Sequence, residues 1–314
     1  MISSNRFSVV SSQLILSAIQ HGGTFLDIGC ADGSRLESLM QTLRQRHISI
    51  QPYGIDHDPE LIFQAIERLP GFWDQFFVGD YMQWDAPIQF DWVRTEISYI
   101  KPEKQKAFLL RLLTRVVKSR GGTLLICENA AMEKTGGLRL AERVRQLGFR
   151  PTVESEEMDL THRGRMDLLK LSIPEEGISP IPAEWTHSLR HSVLRPHQSI
   201  SEMSFAGDSS SRSLHLARFS KGSTVAIVSL IDEEAESTLR LRGMAVSGQL
   251  QGRGYGSELI QEAVSYAQLN NLKEIWCNAR ASALYFYKKH GFKTVGHEFQ
   301  IEGIGPHYKM ILKL

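Results

Sequence analysis

At 314 residues, of which 42% are hydrophobic and 23% charged, the chain is too long for one hydrophobic core and too apolar to be disordered, so two globular units are expected. Its 36 Lys and Arg face 35 Asp and Glu, which leaves no global field to recruit a polyanion or a membrane surface. Divided near residue 178, the first part carries 21 basic against 23 acidic residues and the second 15 against 12, so neither is built for nucleic acid in bulk and a small-molecule partner is expected.

Apolar residues recur at helical spacing from Ser8 to about Gln20, and Gly22 to Gly33 reads as a short strand closing in a turn rich in Gly and Asp. Helix over Leu36 to His47, strand over Tyr53 to Asp56, helix over Pro59 to Leu69 and strand over Phe76 to Asp80 follow. Phe90 to Arg94 and Gly122 to Glu128 read as further strands around a helix from Lys104 to Val117. A helix from Gly137 to Leu147 and strands near Arg150 to Glu154 and Asp167 to Ser172 complete the alternation. Strands alternating with helices predict an α/β unit with a doubly wound, mainly parallel sheet.

After Ser172 three prolines and a glycine fall within ten residues, Ile173 to Pro182, a run too broken for a regular element. The expected domains are therefore residues 1–174 and 190–314, joined by a linker over 175–189. In the second part strands come before the first helix. Val193 to Arg195 reads as a strand, Leu214 to Phe219 and Thr224 to Ile231 as a hairpin, Leu239 to Val246 as a longer strand, and Gly254 to Asn270 as a helix. The three cysteines, Cys30, Cys127 and Cys277, match no C-x-x-C metal spacing and read as buried, reduced thiols. No signal-peptide pattern or membrane-length apolar run is present, so a cytoplasmic location is expected and no metal site is.

In Phe25-Leu-Asp-Ile-Gly-Cys-Ala-Asp-Gly33, Asp27 stands at a strand end and Gly29, Ala31 and Gly33 let the following turn approach a ligand. A purely structural strand-to-helix turn is the competing reading. Asp56 and Asp80 close the next two strands, placed for ribose hydroxyls and an adenine amino group or for helix N-caps. This pattern resembles the class I S-adenosylmethionine-dependent methyltransferases over residues 20–172, with Asp27 to Gly33 on their first motif and Ala31 where glycine is usual. The resemblance implies a Rossmann-like seven-stranded sheet, with S-adenosylmethionine held at Asp27, Gly29, Ala31, Gly33, Asp56 and Asp80. Arg94, Glu96 and Tyr99 are candidate substrate contacts, with an ion pair an equal reading for the charged two.

Gln251-Gly-Arg-Gly-Tyr-Gly256 follows a strand and opens a helix, so successive amides and the helix dipole make an anion site suited to a pyrophosphate, with a flexible glycine turn that holds no ligand as the competing reading. The run resembles the acyl-CoA motif of the GNAT superfamily, with Gln251, Gly254 and Gly256 on signature positions and Gly252, Arg253 and Tyr255 between them. Ala283 to Phe292 resembles that superfamily's A-x-x-x-Y-x-K-x-G-F segment. The likeness covers about residues 190–314 and implies an α+β unit with a mixed sheet. It further implies acetyl-CoA as cofactor, Met244 and Val246 pairing with the pantetheine arm, and Tyr287 as general acid, where a core aromatic is the plainer reading. Glu298 and His307 are candidate bases, with water the alternative and a satisfied structural group the plainer reading of His307. Together the resemblances predict a bifunctional transferase acting on a small amine. The alternatives are an N-acetyltransferase with a non-catalytic S-adenosylmethionine-binding or scaffold domain, and acetylation of a protein or peptide.

Overall fold

The computed structural model describes residues 13–131, 139–159, 164–232 and 237–314. Its contacts divide the chain into two compact units, residues 1–144 with 150–173 and residues 145–149 with 174–314. Among the described residues no helix is long and apolar enough to cross a membrane.

The first unit opens with a helical segment over 13–18, so the helix expected to reach about Gln20 ends before Ile19; Ser8 to Ser12 of that expected helix lie outside the described residues. It continues as β1 (Gly23–Ile28), α1 (Ser34–Gln45), β2 (Ile50–Asp56), α2 (Pro59–Arg68), β3 (Phe76–Val78), β4 (Trp92–Thr95), α3 (Pro102–Arg111), β5 (Thr123–Ala131), α4 (Leu140–Gln146), β6 (Val153–Asp159) and β7 (Gly164–Leu171). The seven strands lie in the order β3-β2-β1-β4-β5-β7-β6. The first five are parallel, and β7 runs antiparallel to both β5 and β6. Leu36, Leu39, Met40 and Leu43 repeat at helical spacing in α1 and are buried, and α2 starts where the Asp58 side chain accepts from the Glu60 amide with Pro59 behind it. The strand order reverses between β1 and β4, the place where open α/β sheets form a crevice at their carboxyl edge.

Two expected boundaries move. The third strand stops at Val78, because Asp80 accepts from the Met82 amide and its own carbonyl takes the Trp84 amide, which starts a turn. The helix expected to run to Val117 widens after Arg111 into an i→i+5 turn over Leu112–Val116.

The second unit comprises β8 (Gly177–Ile181), β9 (Leu214–Ser220), β10 (Ser223–Ile231), β11 (Thr238–Val246), α5 (Tyr255–Leu269), β12 (Glu274–Arg280), α6 (Leu284–Lys289), β13 (Lys293–Ile301) and β14 (Gly305–Lys313). The order is β13-β14-β12-β11-β10-β9-β8. Among the described residues only the β11–β12 pair is parallel, which makes the sheet mixed. Leu259, Ile260, Ala263, Tyr266 and Ala267 give α5 a buried face that joins the cluster containing Leu214, Val228, Leu241 and Ile275.

The fold corrects the expected linker over 175–189. Gly177–Ile181 pairs with β9 as an edge strand, and Ser179, Pro180 and Ile181 are buried. An edge strand tolerates Pro180, since the amide it lacks would face away from the sheet. Val193 to Arg195 also departs from expectation. The backbone makes a wide helical turn over Arg190–Leu194, anchored by the fully buried Arg190 guanidinium on the Asp208 carboxylate.

Candidate active site

The site of the second unit begins with a strand pair that separates. β11 pairs with β12 only at Thr238–Arg240 against Glu274–Trp276. Beyond that point β11 stays on β10 as far as Val246, and β12 stays on β14 as far as Arg280 opposite His307. The opening between them leaves the edge of Met244 to Val246 facing a cleft of about 690 Å³. Gln251, Gly252, Gly254, Tyr255 and Gly256 line the same cleft with Met244 and Val246. Arg253 is exposed on the loop and is not part of that lining.

Gly252 and Gly254 have φ of +80° and +91°, and a Cβ added at either would meet no atom within 4 Å. The loop is therefore shaped around open space. Gly254 is the N-cap of α5, so the first amides of a 15-residue helix, which have no partner one turn back, and the positive end of its dipole face that space. Glu258 in the first turn would oppose an anion, but Arg218 neutralises it at 2.6 Å while also pairing with Glu176 at 3.1 Å. Gln251 donates to the Val246 carbonyl at 3.2 Å and ties the loop to the strand end. Gly256 serves packing instead: a Cβ there would reach Phe286 at 3.2 Å.

A second cavity of about 210 Å³ adjoins the first, and Leu194, Met244, Arg280, Ala283 and Tyr287 belong to both linings. Tyr287 thus stands at the junction. It is 8% exposed, with Phe286 and Phe292 edge-on at 5.2 and 5.4 Å. Burial and then Cys277 push its phenol well above the usual tyrosine range, so it stays protonated. His307, also buried, lines the small cavity. Its Nδ1 lies 2.8 Å from the Gly305 carbonyl; a carbonyl only accepts, so Nδ1 carries a proton and Nε2 is the ring nitrogen left to face the cavity as an acceptor.

Glu298 is not brought to the site. It is exposed, lies where the β13–β14 register shifts, and accepts from the Tyr308 hydroxyl; neither cavity includes it. Sequence reading missed Arg195, Arg240, Arg242, Arg280, Asn278 and Phe205, all in the small cavity. A period-two signal was available for one pair, since Arg240 and Arg242 alternate with the buried Leu239 and Leu241.

In the first unit the expected ligand groups meet partners within their own chain, side chains at Asp27 and backbone amides at Asp56 and Asp80. Asp27 is 1% exposed and its oxygens are taken by Arg35 at 3.0 Å and Arg94 at 3.4 Å. Arg94 also pairs with Glu96, which fixes the ion-pair reading of these two. Burial opposes the charge on Arg94, yet Asp27, then Cys127 and Glu96, hold its pKa above the ordinary value. Asp56 accepts from the Ala31 amide at 3.0 Å and the Asp58 amide at 3.1 Å. Asp80 is exposed at the head of its turn. Gly29 and Gly33 have φ of +76° and +74°, and Ala31 shares the left-handed region at +49°, a conformation that explains why glycine would be usual there. A Cβ on Gly29 would come within 2.7 Å of the Tyr99 ring. Cys30, Cys127 and Cys277 are buried free thiols, all raised by burial first.

The acetyltransferase (GNAT) domain family matches residues 176–314. The uncharacterized N-acetyltransferase YitI of Bacillus subtilis (strain 168) is 36% identical over 138 residues, 42% of this chain and 93% of that protein. Through this region the chain belongs to the GNAT acetyltransferase family. Solved structures similar to it include an IAA acetyltransferase from Bacillus cereus ATCC 14579, 21% identical over 44% of this chain and 98% of that one, with a TM-score of 0.36. A GNAT family acetyltransferase from Elizabethkingia anophelis with acetyl-CoA bound is 15% identical over 45% of this chain and 99% of that one, with a TM-score of 0.35. The GNAT match begins one residue before β8, in agreement with the strand that replaces the expected linker.

Proposed function

We propose that the second unit transfers an acetyl group from acetyl-CoA to the nitrogen of a small amine. The observation that carries this reading is the pair of adjoining cavities with Tyr287 in both linings, the larger one headed by a glycine loop that faces open space. Acetyl-CoA supplies the thioester carbonyl, whose C–S bond breaks as the N–C bond forms. The α5 amides and the glycine loop bind the pyrophosphate, and the free edge of Met244 to Val246 pairs with the pantetheine arm. Tyr287 Oη gives its proton to the departing sulfur, and its raised pKa keeps that proton in place beforehand. His307 Nε2 accepts the proton that the attacking nitrogen loses. The 210 Å³ of the acceptor-side cavity favours a small amine over a protein or peptide terminus. Thiol release from acetyl-CoA by the full chain tests the reading. Turnover that depends on an added amine and collapses in Tyr287→Phe supports it, and turnover indifferent to that change sinks it.

Methyl transfer by the first unit, which would make the chain bifunctional, has the strand order and the switch point in its favour. Against it stand the two arginines on Asp27 and the Tyr99 ring over Gly29. We infer a non-catalytic first unit, the reading in which this turn holds its own side chains. Calorimetric titration with S-adenosylmethionine tests whether the turn is closed, and, where a one-to-one isotherm is found, formation of S-adenosylhomocysteine separates the bifunctional reading from a non-catalytic binding domain.

A further inference from the structure

Among the described residues the acceptor-side cavity is lined by Arg195, Arg242 and Arg280, with Asn278 and His307, and by no Asp or Glu; Arg240 also borders it, with its guanidinium engaged over the Trp276 ring at 4.6 Å. Elsewhere in this unit two arginines are neutralised, Arg190 by Asp208 and Arg218 by Glu176 and Glu258. In the cavity Arg195 meets the Gln198 side-chain oxygen at 3.2 Å, Arg242 the Ala206 carbonyl at 3.4 Å and Arg280 the Leu194 carbonyl at 2.6 Å. These are neutral partners, which orient a guanidinium without cancelling its charge.

The arrangement is built rather than adventitious. The Phe205 ring is flanked by Arg190 at 4.0 Å, Arg242 at 4.3 Å and Arg195 at 5.0 Å. The Phe205 amide is held at 2.7 Å by Asp208, the carboxylate that also anchors Arg190. Gly243, at φ +61°, admits this packing, because a Cβ there would fall 2.9 Å from both Arg190 Nε and Phe205 Cε2. The concentration of like charge is felt electrostatically. Burial and then Arg240, with Arg190 and Arg195 adding to it against an opposing pull from Asp208, push the Arg242 pKa down to about 10. Burial, Arg280 and Arg190 lower that of Arg195 against a smaller pull from Glu202.

The guanidinium groups of Arg195, Arg242 and Arg280, held by neutral partners, leave an anion to be supplied by the ligand, and the fork of a guanidinium matches an oxyanion. We propose that the acceptor is a small amine that also carries a carboxylate or phosphate, held through that group by Arg195, Arg242 and Arg280 with its nitrogen toward His307 and Tyr287. At roughly 30 Å³ per liquid water, the 210 Å³ cavity sets the scale of an amino acid. This inference rests on the acetyltransferase reading above, and it argues against a polyamine acceptor.

The test uses the full chain with saturating acetyl-CoA and measures initial rates for glycine and glutamate, their methyl esters, phosphoethanolamine, ethanolamine and spermidine. A carboxylated or phosphorylated amine is expected to exceed its ester or neutral counterpart at least about tenfold in kcat/KM, and the two anionic arms decide between carboxylate and phosphate. Arg242→Gln should erase about tenfold or more of that preference through KM, Arg242→Lys should restore part of it, and the acetyl-CoA Kd by calorimetry should stay at the wild-type value. Should Arg242→Gln fail to fold, the part-exposed Arg195→Gln takes its place. Equal rates for acid and ester, a preference for spermidine, or a preference unmoved by the arginine variants overturns the proposal. Where no amine in the panel is acetylated, direct titration of the anionic amines with CoA present decides, and the absence of arginine-dependent binding overturns it. Failure of acetyl-CoA itself to bind overturns the acetyltransferase reading instead, and the same anion titration still judges the arginine cavity on its own.

Discussion

Two turns in this molecule place left-handed glycines between a strand and a helix, and they differ in what lies in front of them. At the end of β1 a Cβ on Gly29 would meet the Tyr99 ring at 2.7 Å, and one on Gly33 would meet Ala65 at 3.1 Å. At the end of β11 a Cβ on Gly252 or Gly254 would meet nothing within 4 Å. The carboxylates follow the same division. Asp27 is consumed by Arg35 and Arg94, whereas Arg218 removes the charge of Glu258 from the second loop. A glycine motif records that the backbone needs room; whether that room belongs to the chain's own side chains or to a ligand is decided by residues far away in sequence.

The sharpest break of the comparison is Tyr287→Phe, expected to lower kcat by about 10²- to 10⁴-fold with the acetyl-CoA Kd unchanged. Because burial and Cys277 raise the Tyr287 phenol, the acid form persists as pH rises through the ordinary tyrosine range. The rate profile should therefore show no basic limb near pH about 10 that disappears in the Phe variant. On the other side, Asp27→Ala removes one of the two carboxylates on the fully buried Arg94, leaving Glu96, and should cost about 1–3 kcal/mol in urea unfolding of the first unit. Acetyl transfer per folded molecule should not change.

Smaller substitutions at the turns sharpen the contrast. Gly254→Val should weaken acetyl-CoA binding at least about tenfold, since it fills the open space as well as straining φ. Gly29→Ala should instead destabilise the first unit by about 2 kcal/mol, read as a lower thermal midpoint, and leave acetyl-CoA binding alone. Ala31→Gly relieves a non-glycine residue at φ +49° and should raise stability by up to about 1 kcal/mol; a fall would show that the turn is not strained.

Most of the element sequence was legible because apolar periodicity and punctuation agree with tertiary packing, as in α1 and in the β9–β10 hairpin. The 175–189 stretch was not, because its prolines forbid a central strand but not an edge one, and only pairing with β9 shows which it is. The loop of Gly252 and Gly254 was legible locally. The arginine cavity was not, since Arg195, Arg240, Arg242 and Arg280 come from three separate segments and acquire a common purpose only when the wide turn at Arg190–Leu194 and the splayed strands bring them around one space. Asp27 illustrates the converse: its position at a strand end was readable, but its partner Arg94 lies 67 residues away.

The most direct measurement is calorimetric titration of the full chain and of Gly254→Val with acetyl-CoA, alongside S-adenosylmethionine on the unaltered chain. One acetyl-CoA site that is weakened at least about tenfold by the substitution, with no heat from S-adenosylmethionine, is the expected result. Acetyl-CoA binding indifferent to Gly254→Val, or a one-to-one S-adenosylmethionine isotherm, would contradict the division of one open and one closed turn.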